Sequence, residues 1–112
     1  MKLMTKPLRE KLINNYRRRH SANYDPVPVV KYFTPDANAT WLITDMDPRT
    51  NILFGLCDLG IGFPELGTVC LDELETVKGP LGLPVERDLH TIFDKPLSFY
   101  TSDALYRRYV TA

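Results

Sequence analysis

Two sets of residues in this sequence have the types and spacing to do chemistry. Asp45 and Asp47 flank Met46 at the end of an apolar run, Trp41-Leu42-Ile43-Thr44. Residues i and i+2 of an extended backbone share a face, so the two carboxylates could hold a divalent cation for phosphodiester cleavage. The competing reading is ordinary turn chemistry, with Asp47-Pro48 ending a strand and Asp45 a solvated rim residue. Asp88, His90 and Asp94 could likewise converge on a cation through mixed oxygen and nitrogen ligands, although His90 reads equally as a polar residue in the apolar stretch Leu89 to Phe93. His20 and His90 are the only candidates for a general base of near-neutral pKa. The sequence supplies neither with a nucleophile elbow or a Cys/His dyad. Gly60-Ile61-Gly62 lacks the third glycine of a dinucleotide fingerprint and runs into Phe63-Pro64. Cys57 and Cys70 lie in apolar runs without a Cys-x-x-Cys spacing and read as reduced core residues. Asn38-Ala39-Thr40 matches a glycosylation acceptor, a match without weight where no secretory signal precedes it. No catalytic residue, cofactor or metal is assigned on these grounds.

Charge gives a second kind of candidate, a binding surface. The chain is neutral overall, but residues 1–20 hold seven basic residues and only Glu10 as an acid, a net +6 that leaves −6 on the other 92 residues. Asp45, Asp47, Asp58, Glu65, Asp72, Glu73 and Glu75 fall in a stretch whose only base is Arg49. The basic end, Arg17-Arg18-Arg19, could neutralise phosphates, with Tyr16 or Tyr24 stacking on an unpaired base. The acidic stretch could instead attract the basic groove of a nucleic-acid-handling protein. Both charged segments also have a bland reading, as a helix terminus and a solvated sheet face. The candidate partner-binding residues are therefore Asp45, Asp47 and Asp58 on one side and Arg17, Arg18 and Arg19 on the other.

The elements that must position these residues follow from periodicity. Pro7 fits a first helical turn, so a helix begins near Thr5 or Lys6, with Leu8, Leu12, Ile13 and Tyr16 as its apolar face and the arginines at its C-terminal end. The polar, proline-containing connection from Ser21 to Pro28 cannot continue it. Extended segments follow at Val29 to Phe33, Trp41 to Thr44, Ile52 to Cys57 and Glu65 to Leu71, separated by short turns. Such short connections favour an antiparallel meander. Leu71 to Leu74 can form one helical turn, Lys78 to Pro84 an ordered loop that packs as a connector, and Thr101 to Tyr109 a short helix capped by Thr101 or Ser102. The expectation is one α+β domain: a basic N-terminal helix over 1–20, an antiparallel sheet of about four strands over 29–71 with that helix on one face, and a loop-rich segment with a short C-terminal helix over 72–112. No apolar run reaches the roughly 18 residues of a membrane span, so the expected compartment is the cytoplasm.

LDELETVKGPLGLPVERDL, from Leu71 to Leu89, resembles a bacterial family known as domain of unknown function 2958, most specifically at Gly79 to Asp88. MKLMTKPLREKL, FTPDANATWLITDMD and Leu53-Phe54-Gly55-Leu56 resemble it too. The resemblance implies a short accessory protein of plasmids, integrative elements and phages, and brings no catalytic residues. The expected function is a non-enzymatic interaction protein of a mobile genetic element. It would bind a host protein or nucleoprotein complex, such as a restriction or CRISPR defence system, and inhibit it. The alternatives are a DNA- or RNA-binding accessory protein using the basic helix and, third, a metal-dependent nuclease built on Asp45 and Asp47.

Overall fold

In a computed structural model describing residues 1–112, the first helix, α1, covers Lys6–Arg17. Thr5 starts it by accepting the Leu8 amide on its hydroxyl, and Pro7 falls in the first turn, where no amide is missed. Four strands follow in a meander: β1 (Val30–Phe33), β2 (Thr40–Met46), β3 (Ile52–Asp58) and β4 (Glu65–Cys70). A single helical turn, α2 (Leu71–Leu74), leads into the Lys78 to Pro84 loop. A short fifth strand, β5 (Glu86–Arg87), then adds antiparallel to β1 opposite Tyr32 and Phe33. Sheet order is β4-β3-β2-β1-β5, antiparallel throughout. The last helix, α3, covers Leu97–Arg107.

The sheet is the middle of three layers. On one face Leu12 of α1 packs with Tyr32, Trp41, Ile43, Met46 and Leu53, joined by Leu71, Leu74 and Val85. On the other, Leu97 and Ala104 of α3 cover Leu42 and Leu56. This double cover explains why β2 is buried at every position from Trp41 to Met46, its polar residues Thr44 and Asp45 included.

The antiparallel sheet of about four strands is present as expected, extended by a fifth strand too short to leave a periodic signal. Two other expectations need correction. The C-terminal helix begins four residues before Thr101, because its N-terminus is capped from far away: Asp25 accepts the Ser98 amide at 3.0 Å and the Ser98 hydroxyl as well. Thr101 meanwhile donates its hydroxyl back to the Leu97 carbonyl, at 2.9 Å. The Lys78 to Pro84 loop is ordered by Gly79–Leu83 and Gly82–Gly79 backbone bonds and by Asp36, which accepts the Leu81 amide at 2.7 Å. Its leucines do not pack, however: Leu81 and Leu83 are exposed. No helix is long and apolar enough to cross a membrane.

Candidate functional site

A bulge in β2 decides where the carboxylates point. Ile43 pairs with Gly55, Asp45 with Phe54 and Met46 with Leu53, so Thr44 is one residue more than β3 can match. An extra residue reverses the facing of everything beyond it. Asp45, which strict alternation would send under α1 with Ile43, joins Phe54 on the opposite face, and Met46 enters the α1 core instead. The bulge is secured from α1, where the buried Asn15 donates its side-chain amide to the Thr44 carbonyl at 2.8 Å. The strand therefore runs to Met46, past the point where the sequence suggests a turn.

Each carboxylate is then held by a tyrosine. Tyr24, in the connection after α1, donates its hydroxyl to Asp45 Oδ2 at 2.8 Å. Tyr16, at the end of α1, donates to Asp47 Oδ2 at 3.0 Å, and the Arg49 amide to Asp47 Oδ1 at 2.9 Å. The Arg19 guanidinium lies 3.7 Å over the Tyr16 ring and donates to the Tyr16 carbonyl at 2.8 Å. Tyr16, Arg19, Tyr24, Asp45 and Asp47, with His20, Thr50, Ile52, Phe54 and Thr68, line a cavity of about 560 Å³. A neighbouring cavity toward the start of α3 shares Tyr24 and Phe54 as walls.

The two acids titrate in opposite directions. Burial raises the Asp45 carboxyl above the ordinary aspartate range, against the Tyr24 hydroxyl and the Arg19 charge, which lower it. Burial and then Asp45 push the Tyr24 phenol up in turn. Asp47 is held low, first by the Arg49 amide and also by the Tyr16 hydroxyl and the Arg49 charge. The result is a groove with apolar and aromatic walls, fixed acceptors on one side and the Arg19 cation at its rim.

Residues 3–110 match the family model of a protein of unknown function, DUF2958. The chain belongs to the DUF2958 family. No curated protein and no solved structure matches it.

The other sequence candidates take different places in this DUF2958 fold. Arg17, Arg18 and Arg19 are all exposed, Arg17 closing α1 and the other two in the turn beyond, where Arg18 donates to Asn15 Oδ1 at 2.6 Å. Asp58 is not a surface acid. It is 2% exposed, and its oxygens accept the amides of Gly60 at 2.8 Å and Val110 at 2.9 Å. Asp88 is used locally by Thr91, the His90 amide and Lys31, which together hold its carboxyl well below the ordinary range. Asp88, His90 and Asp94 do not assemble, and no group of three or more His, Cys, Asp or Glu is placed to hold a metal. Cys57 and Cys70 are both free, and burial pushes the Cys57 thiol up to about 11. Asn15 and the Tyr24–Asp45 pair went unseen in the sequence, because a bulge carbonyl and a contact across 21 residues leave no local pattern.

Proposed function

We propose that the protein works by stoichiometric binding to a host protein or nucleoprotein complex, through the groove between the end of α1 and the end of β2. One observation carries the reading: residues from the basic end and the acidic stretch, which the sequence treats as rival surfaces, line a single cavity. Fixed carboxylates beside aromatic rings suit an arginine or lysine side chain, which gains charge-assisted hydrogen bonds from the acids and a cation–π contact from the Tyr24 or Phe54 ring, the Tyr16 ring being held by Arg19. Such cations are abundant where proteins handle nucleic acid, so a defence complex of restriction or CRISPR type, met in the cytoplasm by the product of a mobile element, is the partner class that fits. The family resemblance supports that context.

Capture from host lysate, with and without nuclease, tests the proposal. The expected result is a stoichiometric protein partner that survives nuclease and is retained at least tenfold more weakly by Asp47→Arg. Turnover of a substrate by the purified protein, abolished by Asp47→Asn without unfolding, would overturn it.

A second reading rests on the exposure of Arg17, Arg18 and Arg19 at one end of the molecule. If these residues bind DNA or RNA, partners vanish with nuclease, and replacing all three by alanine weakens binding and flattens its salt dependence. Against it, the Tyr16 ring is already covered by Arg19 and the Tyr24 hydroxyl is engaged by Asp45.

A further inference from the structure

The two edges of the sheet are finished differently. β5 is two residues long and is covered by the start of the chain: the Arg87 amide donates to Met1 Sδ at 3.1 Å, and its Nε to the Lys2 carbonyl at 3.2 Å. At the other edge β4 is six residues long and pairs with β3 residue for residue, without a bulge. The Leu71 amide donates to the Asn51 carbonyl. Because bonded and non-bonded pairs alternate along an antiparallel ladder, the amides of Leu66, Thr68 and Cys70 face outward, away from β3. Edges are commonly blunted by charged side chains, above all lysine, by a proline or by a bulge; Glu65-Leu66-Gly67-Thr68-Val69-Cys70 carries one charge, Glu65 at its first position, and no lysine, proline or bulge.

Beside this edge, on the α1 face, lies a cavity of about 520 Å³. Trp41, Cys57 and Gly67 line it, with Phe63 of the β3–β4 turn and Leu74 and Val77 after β4. A Cβ on Gly67 would meet open space. Leu59, Ile61 and Phe63 stand 60–69% exposed at its mouth. The only charges lining it are Glu65 and Glu73, and from Glu65 to Val77 the chain carries four acids and no base.

We propose that β4 is a docking edge for an extended segment of a protein partner, apolar at alternate positions and flanked by lysine or arginine. The segment adds a sixth strand, its backbone pairing with the outward amides of Leu66 and Thr68. One alternate set of its side chains enters the cavity across Gly67, and its cations meet Glu65 and Glu73. Charge decides the occupant: a second copy would bring the same acids to the same edge, whereas a basic segment neutralises them. This cavity lies on the opposite face of the sheet from the groove of Asp45 and Asp47, so the inference does not rest on that reading.

The probe is a blocked heptapeptide alternating valine and threonine with lysine at both ends, compared with its glutamate-ended counterpart. Binding is followed by amide shifts of β4 and by the fluorescence of Trp41, the single tryptophan. The lysine peptide is expected to shift the β4 amides and to bind at least tenfold more tightly than the glutamate peptide. Gly67→Val, which favours a strand and fills the cavity, should keep the fold and weaken binding at least tenfold. Glu65→Lys with Glu73→Lys should reverse the preference between the peptides. Equal affinity for both peptides, no binding at millimolar concentration, indifference to Gly67→Val, or self-association of the free protein through β4 would each overturn the proposal.

Discussion

At the scale of single residues, the Tyr24–Asp45 pair has the clearest energetic consequence. A carboxyl whose folded pKa is raised keeps its proton at a pH where the unfolded chain has lost it. The cost of burying Asp45 is therefore absent below the ordinary aspartate value of 3.8 and grows as pH rises toward the folded value. Asp45→Asn leaves an acceptor for Tyr24 but cannot ionise. It should match the parent protein at low pH and exceed its stability at neutral pH, as read by denaturant unfolding at both. Tyr24→Phe should do the reverse. Without the hydroxyl that lowers the Asp45 pKa, the protein should lose about 1.5 to 3 kcal/mol at neutral pH, the usual value of a hydrogen bond to a charged group, and less in acid. Parallel losses at both pH values would mean that Asp45 is not a desolvated carboxylate. The types of Asp45 and Asp47 were readable from the sequence. Their different fates were not, because these depend on Tyr16, Tyr24 and Arg49, which only the fold brings to them.

At the scale of elements, α1 and the four-strand meander were legible because each has a local cause: a threonine cap with Pro7 at one end of the helix, apolar alternation in the strands, and Asp, Asn and Pro in the turns. What escaped depends on distant chain. β5 is two residues held by the β1 edge, α3 is capped by Asp25 across 73 residues, and the β2 bulge is held by Asn15. Gly55 gives the bulge region a steric test. A Cβ there would stand 2.0 Å from the Leu42 carbonyl oxygen and 2.9 Å from the Ile43 Cα, both on the neighbouring strand. Backbone held between α1 and α3 has little room to yield, so Gly55→Ala should cost about 3 kcal/mol or more. Gly67→Ala, in the next strand with open space at its Cβ, should lie within about 1 kcal/mol of the parent. Chemical denaturation of the pair separates the steric cause from a general intolerance of side chains at strand glycines. Similar losses in both would remove it.

For the molecule as a whole, the arrangement of layers decides which parts must open together. α1 is tied to the sheet by the larger core cluster and by Asn15, and the N-terminal segment adds Leu3, whose carbonyl accepts the buried Tyr32 hydroxyl at 2.6 Å. α3 rests on a smaller cluster around Leu42, Leu56, Leu97 and Ala104. It is clamped at both ends by carboxylates from outside itself: Asp25 takes the Ser98 amide at its start, and Asp58 takes the Val110 amide just beyond its end. A layer with little apolar contact and two polar tethers should open before the sheet does. Asp58→Ala removes the second tether and also strips the Gly60 amide of its acceptor, an expected loss of about 2 to 3 kcal/mol. Amide hydrogen exchange should then speed up across residues 97–112 while the central amides of β2 and β3 keep their protection relative to one another. Leu42 and Leu56 become transiently accessible in that open state, so a dye that binds apolar surface should respond before the main unfolding transition. Uniform acceleration through β2, β3 and α3 would instead mean that the three layers unfold as one unit, with the clamp contributing only to global stability.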